Sequence, residues 1–166
     1  MKQTTPREIT DKIRTWTGRI SKGNLSFIDV KPEYISGFCF LACADKVERE
    51  KDASIVHGWV IWESSFLLEA EHRSVVRLAD GTFVDVTKPF DNEKRILFLE
   101  DESLTCSLLG QDLMAYKNLI YPSRSKKQER RRYCSQRITG AIDTKLRIHD
   151  ENSKMFLSQI IEQIRL

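Results

Sequence analysis

Ala79-Asp80-Gly81 stands between two apolar runs, Val75, Val76 and Leu78 before it and Phe83, Val84 and Val86 after it. A turn signal flanked by β-branched and aromatic residues predicts a β-hairpin over 69–87. Two further segments, IVHGWVIW at 55–62 and KRILFL at 94–99, have strand composition. A chain with several such segments must build a sheet, and its helices must cover that sheet.

Helical patterns lie on either side. Residues 5–20 predict a helix, with Thr5 as cap, Pro6 in the first position and Ile9, Ile13, Trp16 and Ile20 on one face. After the short apolar stretch LSFIDV at 25–30, Ser36 and Gly37 interrupt an apolar run, and Leu41, Ala44 and Val47 then recur at a spacing of three. That spacing predicts a second helix with Ser36 as N-cap and Cys39 in its first turn. Residues 104–120 are apolar, but Gly110 interrupts either pattern. Residues 152–164 predict a last helix, with Phe156, Ile160, Ile161 and Ile164 on one side. With no internal repeat and no long linker, the expectation is one α+β domain over 1–166.

Composition narrows the class of protein. The chain has 166 residues, 40% apolar and 31% charged, which fits a soluble globular domain and argues against wholesale disorder. No apolar run approaches the roughly 18 residues of a membrane span, so no membrane partner is expected. MKQTTPREITDKIRTW has no apolar core of a secretory signal. Cys39, Cys43, Cys106 and Cys134 follow no disulfide framework, which predicts reduced thiols in the cytoplasm. Charge is uneven: 123–137 carries Arg124, Lys126, Lys127, Arg130, Arg131, Arg132 and Arg137 against Glu129 alone. That stretch suits a solvated helix face, or contact with an acidic or nucleic-acid partner.

The hairpin also carries chemistry. Its first strand holds His72 and its second Asp85. A carboxylate beside an imidazole fixes the tautomer and stabilises the protonated ring. Cys39 supplies the third element, because a thiol in the first turn of a helix faces unpaired N–H groups and the helix dipole. Cys39 as nucleophile, His72 as base and Asp85 as orienter form an acyl-transfer set, with first-turn N–H groups to hold an oxyanion. Register decides whether the set closes. A two-residue turn at Asp80-Gly81 pairs His72 with Pro89 and leaves Asp85 about 13 Å along its strand, at about 3.3 Å per residue. A four-residue loop over 78–81 pairs His72 with Thr87 and makes Asp85 a diagonal neighbour.

The order Cys, His, turn and VDVT, over about 37–87, resembles the transglutaminase-like branch of the papain-like cysteine enzymes. The resemblance implies a Cys-bearing helix packed on an antiparallel sheet whose adjacent strands carry His and Asp. It implies a hydrolase or acyltransferase that forms a Cys39 acyl-enzyme from an amide, ester or thioester in a peptide or small acyl substrate. It implies no cofactor, and places Trp59 and Trp62 in an acyl-binding groove.

Plainer readings stand beside this one. Cys39 and Cys43 suit a helix core, His72 a surface strand position and Asp85 a turn carboxylate. Cys39, Cys43, His57 and His72 are ligand types for zinc, although Cys-x3-Cys inside a helix is not knuckle spacing. The same fold without a working triad would be a binding module acting through 123–137.

Overall fold

The computed structural model describes residues 3–89, 91–109, 112–121, 132–137 and 161–166. Helix α1 spans Asp11–Ile20, strand β1 Leu25–Tyr34, helix α2 Cys39–Arg49, β2 Ser54–Glu63, β3 Leu68–Arg77, β4 Phe83–Thr87 and β5 Arg95–Glu100. Short strands β6 Ser107–Leu109, β7 Asp112–Tyr116, β8 Leu119–Tyr121 and β9 Arg132–Arg137 follow. The class is α+β, as the patterning implies.

Five strands close on themselves. β2 pairs with β5, β5 with β1, β1 with β4, β4 with β3, and β3 returns to β2. Closure removes the exposed edges that an open sheet would present. The sheet is mixed rather than antiparallel, because β1 runs parallel to β4; α2, β2 and β3 make the long crossover that a parallel pair requires. β8 adds to the far end of β3, and β6, β7 and β9 form a second small sheet.

Three apolar layers result. Ile28, Val60, Val75, Ile96 and Phe98 fill the barrel interior. α1 lays Ile13, Trp16 and Ile20 over the outward side chains Trp59, Ile61, Leu97 and Leu99. α2 lays Leu41, Ala42 and Cys43 over Val76, Val84 and Val86, with Ile161 and Ile164 joining from the end of the chain. Alternation along each strand makes this possible, since successive residues serve the interior and a helix in turn. Each such buried aliphatic side chain contributes about 1.5–3 kcal/mol.

The helix starts differ from expectation. α1 begins after Thr10, whose side chain accepts from the Ile13 N–H at 3.3 Å. Thr5 caps nothing, because Thr4 is already held extended by paired main-chain bonds to Glu63 at 2.9 and 2.8 Å. α2 is entered through Gly37 at φ +88°, a conformation that glycine reaches without Cβ strain. Its N-cap is Phe38 rather than Ser36. The Ser36 hydroxyl instead donates to the Lys88 carbonyl at 2.5 Å, tying the α2 lead-in to the end of β4. Residues 104–120, ambiguous in pattern, supply strands β6 to β8. Of the expected last helix, 161–164 is helical, and the remainder lies outside the described residues.

Candidate active site

The hairpin turns through three residues. Val76 faces Val84 and Arg77 faces Phe83, and the Leu78 N–H then donates to the Thr82 carbonyl at 2.8 Å. Gly81, at φ +84°, completes the loop, and the Asp80 carboxylate accepts the Thr82 N–H at 2.8 Å. Glycine in a left-handed conformation after a tight turn is the usual third residue of such a loop. Continued along the strands, this register sets Asp85 opposite Val75, on the face that also carries Arg73. His72 points the other way. A shift of one residue moves a side chain to the opposite face of a sheet, so Asp85 does not orient His72.

Asp85 instead faces Arg73 inside the barrel. Arg73 Nε lies 2.9 Å from Asp85 Oδ2, and Arg73 Nη2 donates to Thr87 Oγ1 at 2.7 Å. Thr87 in turn donates its hydroxyl to Asp85 Oδ1 at 2.7 Å and its backbone N–H to the same oxygen at 2.9 Å. Arg73, Asp85 and Thr87 are all buried. Burial works against the Arg73 charge, yet the neighbouring groups, the Asp85 carboxylate first among them, together more than offset it and hold the guanidinium protonated.

The charges of this group act on Cys39, which lies beside a partly unpaired stretch of β3. β4 pairs with β3 only at 76–77 and β8 only at 68–70. The β3 edge between them has no strand partner among the described residues. A main-chain donor there needs another acceptor, and the Ser74 N–H finds the Cys39 sulfur. Burial pushes the Cys39 thiol up to about 11; the Arg73 charge and the Ser74 N–H pull the other way without prevailing, and the Asp85 and Glu71 charges add to the rise. The first position of α2 therefore does not produce the depressed thiol that the helix dipole alone would favour. Cys43, one turn on, is also pushed well up, chiefly by burial.

His72 belongs to a different neighbourhood. It is buried, with Phe40 at 4.9 Å, Tyr116 at 5.3 Å and both His57 and Trp59 at 5.9 Å between ring centroids. Its Nδ1 accepts the Tyr116 N–H at 3.1 Å. That bond assigns the proton of a neutral ring to Nε2. Nδ1 thus faces main chain rather than a carboxylate.

The other expected residues divide similarly. Trp59 is fully buried beneath α1 and donates its indole N–H to Asp101 at 2.8 Å, so it is core and lines no groove. Trp62 is half-buried and donates to Glu71 at 2.6 Å. His57 bonds the Ser74 hydroxyl through Nδ1 at 2.8 Å, and burial lowers its pKa. Cys39, Cys43 and Cys106 are free thiols. Among the described residues no cluster of His, Cys, Asp and Glu is placed to hold a metal ion. Arg124, Lys126, Lys127, Arg130 and Arg131 lie outside the described residues, while Arg132 opens β9, so 132–137 is strand rather than helix.

Arg73 and Thr87 are the members of the group that sequence patterning passes over. Arg73 reads as one more strand charge until the loop length is known. Family models, curated proteins and solved structures were each compared with this chain, and none matches.

Proposed function

We propose that the chain is a binding module on a papain-like, transglutaminase-like core whose thiol site is inert toward acyl transfer. One observation carries this reading: the side chain paired with Asp85 is Arg73, whose charge also acts on the Cys39 thiol. A guanidinium has five donors, no acceptor and a charge it does not lose, so it cannot take the thiol proton. The raised thiol agrees, since a nucleophilic cysteine must be available as thiolate near neutral pH.

The segment that engages a partner is the basic stretch 123–137, whose charge suits an acidic or nucleic-acid partner. The free thiols suit a reducing, cytoplasmic setting, and no described helix is long and apolar enough to cross a membrane. Two measurements on the whole chain test the reading. Wild type mixed with p-nitrophenyl acetate gives no burst that depends on Cys39. A fluorescent single-stranded oligonucleotide binds at low salt with affinity falling steeply as salt rises, and replacing Arg130, Arg131 and Arg132 by Gln weakens it. A Cys39-dependent burst, or no binding at low salt to either the oligonucleotide or polyglutamate, goes against it.

A second reading is acyl transfer through a Cys39 acyl-enzyme with His72 as base. It draws on the imidazole standing against Phe40, the residue after Cys39. It requires His72 to leave the Tyr116 N–H, and it predicts that His72→Ala slows alkylation of Cys39.

A further inference from the structure

We infer that the barrel carries a second contact for single-stranded nucleic acid. It is a groove at the start of β1 that takes one nucleotide, with its base in an aromatic half and its phosphate in a basic half. The inference deepens the binding-module reading above and rests on its nucleic-acid partner.

Closure of the barrel is incomplete at this mouth. β4 joins β1 only from Asp29 onward, so 25–28 has no strand on that side among the described residues. The Glu100 N–H donates to the Asn24 carbonyl at 2.9 Å, and the Val30 N–H to the Lys94 carbonyl at 3.0 Å. Alternate residues of an antiparallel strand bond its partner, so Asn24, Ser26, Ile28 and Val30 turn toward β5. The main-chain N–H and C=O of Leu25 and Phe27 therefore turn to the open side. A donor and an acceptor from one residue match the paired groups on the Watson–Crick edge of a base, the edge that proteins read in unstacked single strands.

That open side is a cavity of about 440 Å³, with Phe27 and Asp29 on one wall, Thr82 and Phe83 on the other, and Glu100 beside them. Both rings are half-buried, and each carries a guanidinium: Arg95 lies 4.2 Å from the Phe27 centroid and Arg77 4.9 Å from that of Phe83. Bases stack on aromatic rings and on guanidinium planes alike. The Asp29 and Glu100 carboxylates repel phosphate from this half and are acceptors for the amino group of a base.

A second cavity, of about 560 Å³, shares Asn24 with the first. It is bordered by the exposed side chains of Arg14 and Lys22, and no carboxylate lines it among the described residues. Phosphate belongs in this half. The loop between the halves is already fixed. The Ser21 hydroxyl donates to the Glu100 carbonyl at 2.7 Å and accepts the Gly23 N–H at 3.0 Å. Gly23 approaches the Glu100 main chain so closely that a Cβ would collide with it. A preformed loop loses little freedom on binding.

A fluorescent oligodeoxyadenylate is titrated against the whole chain beside an abasic strand of equal length, which has the same phosphates and no bases. The expected result is roughly tenfold higher affinity for the strand with bases, a factor that one stacked base supplies. Phe83→Leu, which keeps an apolar side chain, should bring the two affinities together. Arg14→Glu/Lys22→Glu, on exposed side chains, should weaken both strands. Replacing Arg130, Arg131 and Arg132 by Gln should weaken both alike and leave their ratio unchanged. Cross-linking by ultraviolet light from a strand carrying one 5-iodocytosine needs no variant, and adducts should fall on peptides holding Phe27 or Phe83. Equal affinities in wild type, a ratio that survives in folded Phe83→Leu, or adducts confined to 123–137 overturn the inference and leave the basic segment as the nucleic-acid contact. Binding of polyglutamate but of neither strand at low salt overturns the nucleic-acid partner itself, and the inference with it.

Discussion

Arg73 and Asp85 form an ion pair inside a closed barrel, Nε to Oδ2 at 2.9 Å, with neither side chain more than about a tenth exposed. Their meeting follows from the three-residue loop at 79–81, since a loop one residue shorter or longer would turn Asp85 to the other face of the sheet. The interior of the fold, the environment of Cys39 and the fate of His72 all depend on that register.

The first prediction concerns the pair itself. Arg73→Met leaves the Asp85 charge buried without its partner and should cost about 3–5 kcal/mol, whereas removing both charges should recover much of the loss. Urea unfolding of Arg73→Met, Asp85→Leu and the double variant gives the comparison. Additive losses in the double variant would mean that the two side chains do not share one interaction.

Alkaline pH should weaken the fold through the thiols. Burial raises the Cys39 pKa from its ordinary value near 9 to about 11, and raises that of Cys43 in the same direction. The folded state therefore holds the thiol proton more tightly than the unfolded chain. The resulting stabilisation is fully present below about pH 9 and is lost as pH rises through about 11. Tyr34, pushed up to about 12 by burial and by its bond to Asp45, acts in the same sense at higher pH. The urea midpoint should fall between pH 8 and 10.5, and less so in a Cys39→Ala/Cys43→Ala chain. A midpoint independent of pH over that range would contradict the raised thiol pKa values.

The end of the chain is expected to guard Cys43. Asp45 accepts from Tyr34 Oη at 2.6 Å, from Arg49 Nε at 3.1 Å and from Arg165 Nη2 at 3.0 Å. The Ile35 N–H donates to the Ile164 carbonyl at 2.7 Å and the Leu166 N–H to the Glu33 carbonyl at 2.8 Å, while Ile161 and Ile164 pack on the Cys43 layer. Ile164→Ala should cost about 2–5 kcal/mol, and Arg165→Ala less, because that side chain is largely solvated. Both should speed alkylation of Cys43 in the folded protein. Unchanged labelling in Ile164→Ala would show that the last residues do not cover that layer.

Much of this architecture is legible in the sequence, and the part that is not has an identifiable cause. Val75, Val76, Val84 and Val86 announce the hairpin, and Leu41, Ala44 and Val47 announce α2, because apolar periodicity reports which faces are buried. Barrel closure is not legible, since β1 lies beside β4 only after a long crossover, and no local pattern encodes a distant pairing. The site is half legible. Cys39 heads its helix as its position predicts, and Asp85 is buried and oriented. Loop length decides between His72 and Arg73, and Ala79-Asp80-Gly81 is compatible with two, three or four residues. The raised thiol is not legible either, because desolvation depends on packing that residue order does not display.

The most direct test of the account is the pH profile of Cys39 alkylation by iodoacetamide, read by peptide mass in folded wild type and in His72→Ala. Control by Arg73 and burial predicts slow labelling at pH 7 and one continuous rise toward a midpoint near 11, the same in both proteins. Fast labelling with a plateau near neutral pH that His72→Ala abolishes would contradict it, and would make His72 the base of a working thiol site.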